Sequence, residues 1–238
     1  MSQAWIGKTV GELVLEKPSR SKVFEKVGLD YCCKGHQALG VACDEKGIDV
    51  SAILQALETQ DAVGHQEEDQ SWRESVAKAV DHIVSLHHVY MRECMPRLDF
   101  LTQKVANVHG QEDPRLLELR RLYLQFQEET YAHLEKEERV LFPMCLALAE
   151  GKTGAAMGGC HMSVQMPVNA MMHEHENHGA NLERFRELTD GYVLPAGACN
   201  SWRAMLDGLL EMEQDLHRHI HKENSWLFPT AVGLESGR

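Results

Sequence analysis

The chain has 238 residues, of which 43% are hydrophobic, and its 36 acidic against 24 basic residues give a formal net charge of −12. This acidic balance does not favour nucleic acid or an anionic membrane surface as a partner, and we expect neither. The N-terminal segment lacks the basic and apolar regions of a secretory signal, and no stretch approaches the ~18 apolar residues of a membrane span. We therefore expect a cytoplasmic protein whose seven cysteines are free thiols.

Residues 1–61 are predicted to form a small helical domain made of several short helices. Thr9 and Glu12 have the spacing of a capping box at a helix start. Gly28 and Gly47 are placed to end helices, and Asp49 is placed to cap the next one. The following polar stretch, residues 62–71, has no periodicity and is predicted to be a linker.

The remainder of the chain, residues 72–238, is predicted to be a four-helix bundle. Helical patterns cover about 72–108, 114–149, 167–189 and 200–229, and glycine-rich segments at 151–160 and 191–200 connect the last three. No strand pattern of any length occurs, so we predict an all-α fold with an up-down-up-down bundle. Gly151-Lys152-Thr153 is similar to the end of a phosphate-binding loop, but Leu146 stands where that loop needs a glycine, and we reject this interpretation.

Two nearly identical phrases mark the ends of the second and fourth predicted bundle helices: HLEKEERVLFP from His133 and HIHKENSWLFP from His219. Steps of three and four residues along each helix trace an apolar stripe that a His and a Glu interrupt. The pairs are His133 with Glu137 and His219 with Glu223. Residues four apart lie on the same helix face, so both pairs are predicted to point into the core.

The same steps carry each stripe beyond its Glu, through Val140 and Met144 in the second helix and through Trp226 and Thr230 in the fourth. No Lys or Arg lies in either stripe near the pairs. A carboxylate buried in a bundle core is costly unless it is paired or bound to metal. A metal ion shared between helices is therefore the favoured explanation.

The other two bundle helices add imidazoles to the same core. His175 lies in the third stripe by either of two walks and His178 by only one, while His173 points elsewhere. In the first helix His88 lies in the stripe, whereas His87 and His82 lie off it, and His109 is roughly 30 Å further along. The predicted site comprises His88, His133, Glu137, His175, His219 and Glu223.

Four imidazoles and two carboxylates would over-supply one ion, so two ions about 3.5–4 Å apart fit them better. Nitrogen and oxygen donors suit iron, manganese or zinc, and the helical Glu/His dinuclear pattern favours iron or manganese. Two alternatives remain open from the residues alone. The His–Glu pairs could simply hydrogen-bond to each other, or they could hold a structural zinc ion.

At these residues the chain resembles the hemerythrin-like (HHE) domain, over about residues 72–230, through the repeated HxxxE…LFP phrase. The segment Asp30-Tyr-Cys-Cys-Lys-Gly-His36 resembles the DYCCGG-type motif of the ScdA N-terminal domain, whose organisation matches residues 5–60. Together the two domains resemble the Repair of Iron Centres family. Carried over by motif, the family's ligands fall on the same six residues.

The resemblance implies a non-haem di-iron protein of the nitrosative and oxidative stress response, with an oxo- or hydroxo-bridged pair of iron ions. It implies damaged iron–sulfur proteins as partners and nitric oxide or O2 as small ligands, and a homodimer is compatible with it. The chain departs from the family pattern at Lys34, where the usual motif has Gly. It departs from oxygen-carrying hemerythrins at Gly179, where they have a second His, and in the HxxxE of its last helix, where they have a His–Asp pair. Fewer protein ligands leave coordination positions for exogenous molecules and count against plain oxygen carriage.

Cys32 and Cys33 are expected to lie near the positive end of a helix and beside Lys34, which should lower a thiol pKa. They are interpreted as a redox pair, a transient iron or sulfur ligand or a nitrosation target, with ordinary packing as the alternative. The other five cysteines have no metal-like spacing. In the Leu-Phe-Pro repeats, Pro143 and Pro229 are expected to end or kink their helices, and the preceding Phe residues to close the bundle.

Three functions are compatible with these features. The first is supply of iron to, or reassembly of, damaged iron–sulfur clusters. The second is binding of nitric oxide or its reduction to nitrous oxide, which leaves open whether the protein is an enzyme. The third, an O2-sensing module, lacks an effector domain in this chain and ranks last.

Overall fold

A computed structural model describes residues 2–63, 69–152 and 163–237. In those residues the only β-structure is one isolated bridge between Thr9 and Ala38, so the predicted all-α class is confirmed. None of the helices described there is both long enough and apolar enough to cross a membrane. Part of the predicted linker, residues 64–68, and most of the connection at 151–160, including Cys160, lie outside the described residues.

Four short helices make up the N-terminal part: α1 (Val10–Glu16), α2 (Ser21–Val27), α3 (Leu39–Lys46) and α4 (Val50–Ala62). Their boundaries follow the local signals. Thr9 and Glu12 form the reciprocal capping box at α1, and the Asp49 side chain accepts a hydrogen bond from the Ser51 N–H at α4. Gly28 and Gly47 follow α2 and α3 in left-handed conformations, with φ of 69° and 65°.

Four long helices form the bundle. They are α5 (Val76–His82, Ile83–His88 and Val89–His109), α6 (Arg115–Lys136, Glu137–Leu141 and Phe142–Ala149), α7 (Gln165–Leu188) and α8 (Asn200–Lys222, Glu223–Leu227 and Phe228–Glu235). Helix α5 packs against α6 and α8, and α6 packs against α7. The first helix starts later than predicted, after a 3₁₀ turn at Ser71–Glu74, and the last continues past its predicted end at residue 229.

The middle segments of α5, α6 and α8 are π-helical turns, in which one extra residue is accommodated. The extra residue shifts the buried face of the helix by one position. Val140 is therefore 48% exposed and Leu141 is buried, so the predicted stripe is wrong at Val140. In α8, Trp226 is only half-buried and Leu227 lies in the core for the same reason.

Pro143 and Pro229 do not end their helices, contrary to one of the two outcomes expected of them. The N–H of Phe142 donates to the Glu137 carbonyl, five residues back, and that of Phe228 donates to the Glu223 carbonyl. Each proline then occupies the first turn of the segment that continues the helix. Proline lacks a donor and crowds the preceding turn, so a widened π turn just before it lets the helix continue.

The core consists of two apolar clusters with a polar layer between them. One cluster joins N-terminal residues such as Leu13 and Tyr31 to bundle residues such as Leu209. The other contains Trp72, Phe142 and the residues around them at the opposite end of the bundle. Helix α1 also contacts the π turn of α8. The N-terminal helices therefore pack directly against the bundle near this polar layer.

A buried Arg20, just before α2, links that part of the chain to the end of α4. Its guanidinium donates through Nε and Nη2 to the Asp61 carboxylate at 3.1 and 2.7 Å. Burial of Asp61 favours its neutral form, but the hydrogen bonds and charge of Arg20, with Lys17, outweigh it and lower the pKa of Asp61.

Asp61→Asn is therefore expected to lower the free energy of unfolding by about 1 to 2 kcal/mol at neutral pH. Because the pKa of Asp61 is lowered in the folded state, the ion pair stabilises the fold when the pH is above the ordinary pKa of aspartate. This stabilisation is lost as the pH falls through the folded-state pKa. The deficit of the variant should shrink below about pH 4. Urea unfolding at several pH values measures this, with the exposed Asp44→Asn as the control; an equal stability of Asp61→Asn and the control at pH 7 would contradict the assignment.

Candidate metal centre

The structure brings all six sequence-predicted side chains together in the polar layer. His88 comes from α5, His133 and Glu137 from α6, His175 from α7, and His219 and Glu223 from α8, and every one is 0% exposed. Both glutamates are the first residue of a π turn, and His88 is the last residue of another. π turns within α-helices are often found at functional sites. Here they set the direction of three of the six side chains.

The six donors divide into two groups that share both carboxylates: His88, His219, Glu137 and Glu223, and His133, His175, Glu137 and Glu223. In each group the donor atoms all lie within 4.8 Å of one another. The Nε2 atoms of His88 and His219 are 3.2 Å apart, and those of His133 and His175 are 3.1 Å apart.

Each glutamate spans the two groups with its two oxygens. Glu137 places Oε1 at 3.2 Å from His133 Nε2 and Oε2 at 3.4 Å from His88 Nε2. Glu223 places Oε1 at 3.1 Å from His219 Nε2 and Oε2 at 3.2 Å from His175 Nε2. This is the arrangement that two carboxylates need to bridge a pair of ions.

Three of the imidazoles are oriented from outside the centre through Nδ1. His88 Nδ1 donates to Glu138 at 2.7 Å, His133 Nδ1 to Glu174 at 2.9 Å, and His175 Nδ1 to the Asn224 side-chain oxygen at 3.0 Å. An acceptor at Nδ1 places the proton there and leaves the Nε2 lone pair directed inward, as metal-binding histidines require. Nδ1 of His219 has no hydrogen-bond partner among the described residues.

Inward lone pairs 3.1 Å apart repel each other, and the carboxylates add negative charge. All four carboxylate oxygens of Glu137 and Glu223 are buried, and no described residue donates to them with acceptable hydrogen-bond geometry despite the short distances to imidazole. Metal–nitrogen and metal–oxygen bonds of about 2.0–2.2 Å place neighbouring ligands of one ion roughly 3 Å apart. The separations here match that value, so the donor set fits bound cations better than mutual hydrogen bonding.

The electrostatics agree with this conclusion. Burial disfavours a charged imidazole, but the adjacent Glu137 carboxylate and Glu174 raise the pKa of His133 to about 10. Burial likewise opposes ionisation of Glu137, yet His133 and its neighbours hold its pKa well below the ordinary value. The cavity therefore attracts positive charge strongly, whether as protons or as metal cations.

Two further histidines are buried beside the six donors and were not predicted as part of the site. His87, expected off the stripe, is buried: its Nδ1 contacts Asp215 at 3.0 Å, its Nε2 contacts Lys222 Nζ at 2.9 Å, and its ring lies parallel to His219 at 5.6 Å. The pattern HH at 87–88 was the available signal, since a π turn can bury both members. His178 is also buried, against the ring of His133, but belongs to neither donor group.

The Leu-Phe-Pro repeats contribute to the centre itself. The ring of Phe142 stacks on His88 at 5.6 Å, and that of Phe228 stacks nearly parallel on His175 at 5.9 Å. These contacts cover two of the imidazoles from the second apolar cluster and exclude water from that side. The expectation that the two Phe residues close the bundle beyond the centre holds, with direct contact to the imidazoles as an addition.

Cys32 and Cys33 lie where the N-terminal part meets the bundle. Cys33 Sγ donates to the His175 carbonyl at 3.1 Å, and the Asn224 side chain donates to the Cys32 carbonyl at 3.1 Å. The expected fall in thiol pKa is wrong for Cys32: burial, together with Cys33 and Asp30, raises its pKa well above the ordinary value. Helix α3 begins only at Leu39, so its positive end is not at the thiols.

All six cysteines in the described residues are free, as predicted. One of those without metal-like spacing has a distinctive environment. Cys199 is exposed and lies 3.3 Å from His109 Nε2, and the hydrogen bond with that imidazole lowers the pKa of Cys199 to about 7. His109 therefore contacts Cys199 at the far end of the bundle and lies away from the six predicted donors.

Glu174→Gln is expected to weaken metal binding by about 10- to 100-fold without removing a ligand. The hydrogen bond from His133 lowers the pKa of Glu174 to about 2, so this group orients and polarises the imidazole as a carboxylate. A neutral amide does so less well. Competition with a chelator measures the affinity, and Glu176→Gln, an exposed position on the same helix, is the control. Equal affinities for the two variants would show that Glu174 has no such role.

Comparison with known proteins places both parts of the chain in described families. Residues 6–61 match the ScdA N-terminal family, described as a domain of unknown function, and residues 79–231 match the hemerythrin HHE cation binding domain. The iron-sulfur cluster repair protein YtfE of Enterobacter sp. (strain 638) is 36% identical over 233 residues, which cover 98% of this chain and 100% of that protein.

Two further relatives are similar over nearly their full lengths. The YtfE protein of Pectobacterium atrosepticum is 35% identical, and the match covers 96% of this chain and 98% of that protein. The probable iron-sulfur cluster repair protein of Haemophilus influenzae is 34% identical, and the match covers 94% of this chain and 96% of that protein. With the two domains in the same order and a centre of histidines and glutamates in the second, this chain belongs to the YtfE family of iron–sulfur cluster repair proteins.

Proposed function

We propose that this protein holds two iron ions between α5, α6, α7 and α8 and uses them in the repair of damaged iron–sulfur clusters, by supplying iron or assisting reassembly. The observation that carries the proposal is the division of six buried donors into two groups that share Glu137 and Glu223. A single structural ion would need only one such group. His88 and His219 would hold one ion, His133 and His175 the other, and the glutamates both.

The donor types favour iron. Each group offers two imidazoles and two carboxylate oxygens and no thiolate, a set typical of helical dinuclear iron or manganese centres. Structural zinc sites are commonly closed by four ligands that belong to one ion, whereas here the carboxylates are shared. Bound iron would supply exchangeable, redox-active metal with coordination positions open to small molecules.

The chain's own residues favour retention over rapid loss. Glu138, Glu174 and Asn224 hold three imidazoles with their lone pairs inward, and Phe142 and Phe228 cover two of them. Release would require protonation of imidazoles or displacement of a carboxylate. The relatives named for cluster repair match over nearly the whole chain, including the N-terminal part, so the proposal extends to both parts acting together.

Cluster repair is tested by mixing the iron-loaded protein with a nitrosylated iron–sulfur enzyme and following the return of its activity. Recovery is expected to be faster than with the same amount of free ferrous iron. Glu135→Gln, an exposed position beside the centre, should behave as wild type. Recovery no faster than with free iron would contradict the proposal.

Binding of nitric oxide is the alternative function, and the shared carboxylates favour it. Four protein donors per ion, two of them shared, would leave positions at bound iron for small ligands such as nitric oxide. Reduction of two molecules of nitric oxide to nitrous oxide and water would take two protons and two electrons, and two ferrous ions would supply the electrons. The reduced protein would then show a nitrosyl spectrum under nitric oxide. Binding without nitrous oxide would indicate a scavenger rather than an enzyme, and no nitrosyl signal would exclude both.

A further inference from the structure

A second set of potential metal donors lies in the N-terminal part, outside the histidine–glutamate centre. Asp30, Cys32 and Cys33 place one donor atom each within 4.8 Å of one another. The two thiol sulfurs are 3.5 Å apart, and Cys32 Sγ is 3.2 Å from Asp30 Oδ1. We propose that these three residues bind one thiophilic divalent cation, such as Zn²⁺ or Fe²⁺, as a site separate from the dinuclear centre.

The separations suit a single small cation. With metal–sulfur bonds of about 2.3 Å and metal–oxygen bonds of about 2.1 Å, a tetrahedral ion holds two sulfurs roughly 3.8 Å apart and a sulfur and an oxygen roughly 3.6 Å apart. The observed distances need to lengthen by only a few tenths of an ångström. A pair of thiolates selects zinc or ferrous iron over magnesium or calcium, which prefer oxygen donors. The two displaced thiol protons leave to solvent.

Local backbone contacts hold the three donors on one side of the loop. Asp30 Oδ1 accepts hydrogen bonds from the backbone N–H groups of Cys32 at 2.9 Å and Cys33 at 2.8 Å. The same carboxylate oxygen lies 3.2 Å from Cys32 Sγ. The donors are therefore arranged before a cation arrives, which lowers the ordering cost of binding.

The thiols also face space in which a cation can be received. A cavity of about 180 Å³ is lined by Cys32 and Cys33 together with Glu12, His36, Met172 and Asn224. By the same measure of volume, one water needs only about 10–15 Å³. A fourth coordination position can therefore be filled by water or by a side chain of the cavity wall.

The proposed site adjoins the dinuclear centre without sharing a donor with it. Asn224 accepts from His175 Nδ1 and donates to the Cys32 carbonyl, so one side chain touches both sites. Cys33 contributes its S–H to the His175 carbonyl at 3.1 Å, and coordination of that sulfur to a cation would remove this hydrogen bond. Occupancy of the cysteine site is thereby linked to the residue that carries one of the centre's imidazoles.

Titration of the full-length, iron-loaded protein with Co²⁺ under reducing, oxygen-free conditions tests the proposal. Thiolate-to-cobalt charge-transfer absorption reports only on sulfur ligands, and the histidine–glutamate centre has none. The band is expected to saturate at about one equivalent, since the three donors form one site. Cys32→Ser and Cys33→Ser should each abolish it, and Asp30→Asn, which keeps an oxygen acceptor for the loop, should weaken binding on the order of tenfold.

Cys199→Ser is the matched control, because it removes another thiol far from the loop and should leave the band unchanged. X-ray absorption of the Zn²⁺-loaded wild type provides a second measurement that needs no variant, with sulfur expected at about 2.3 Å. Absence of the band in wild type, its survival in both Cys32→Ser and Cys33→Ser, or a zinc shell without sulfur would overturn the proposal. In Cys32→Ser and Cys33→Ser, which lack a thiol of the proposed site, the iron content reports on the dinuclear centre.

Discussion

Glu137→Gln is expected to reduce the metal content of the purified protein from about two ions per chain to fewer than about one. Glu137 is a member of both donor groups, so one substitution removes a charged ligand from each ion. The amide keeps the size of the side chain but binds metal weakly. It also buries two N–H donors among imidazole lone pairs. Elemental analysis of protein purified in parallel with wild type measures the loss.

The matched control is Glu135→Gln, two residues earlier on α6. Glu135 is exposed and pairs with Arg139, so its loss removes the same charge from the same helix without touching the centre. Its metal content should equal that of wild type. Glu223→Gln is expected to repeat the Glu137 result, since both carboxylates span the two groups. Two ions retained in Glu137→Gln would show that this carboxylate is not a bridge.

The sequence was sufficient to choose the six inward donors because their spacing obeys ordinary helix geometry up to each glutamate. His133 and Glu137 lie one turn apart on a face that is otherwise apolar, and so do His219 and Glu223. The face beyond each glutamate could not be predicted in the same way. In α6 a π turn adds one residue there, which exposes Val140 and buries Leu141. A separate π turn in α5 ends at His88, and there both His87 and His88 are buried.

The groups that orient the imidazoles were also beyond prediction, for a different reason. Glu138 and Glu174 look like solvated charges in the sequence because each lies off its own apolar stripe. Their partners are on neighbouring helices: Glu138 on α6 accepts from His88 on α5, and Glu174 on α7 accepts from His133 on α6. Such contacts depend on how two helices are rotated against each other, which the periodicity of one helix does not specify.

Gly179→Val is expected to release the Cys32–Cys33 loop from the bundle while the dinuclear centre keeps its metal. A Cβ atom at Gly179 would lie 3.2 Å from Cys33 Sγ and 3.8 Å from Cys33 Cβ, a tight contact that the two methyl groups of Val would make closer still. Glycine inside a helix costs about 1 kcal/mol relative to alanine. Its presence in α7 is explained by the sulfur that packs against it.

The expected result is labelling of Cys33 by a bulky maleimide that is about 10- to 100-fold faster than in wild type, as followed by mass spectrometry of the peptide. This corresponds to about 1.4 to 2.7 kcal/mol of lost protection against local opening. Ala180→Val, at the next position on the exposed side of α7, is the control and should label at the wild-type rate. Equal rates in the two variants would show that the contact at Gly179 does not hold the loop.

The labelling rate of Gly179→Val, with its iron content as the check on the centre, decides why this position differs from oxygen-carrying hemerythrins, which are expected to have a histidine there. If glycine served only to leave a coordination position open, a non-ligating valine would change neither the metal nor the loop. If glycine makes room for Cys33, the loop should open and the metal should stay, because all six donors are intact. The contact between Cys33 and α7 supports the second outcome. The same residue would then open the coordination sphere and seat the N-terminal thiols against His175.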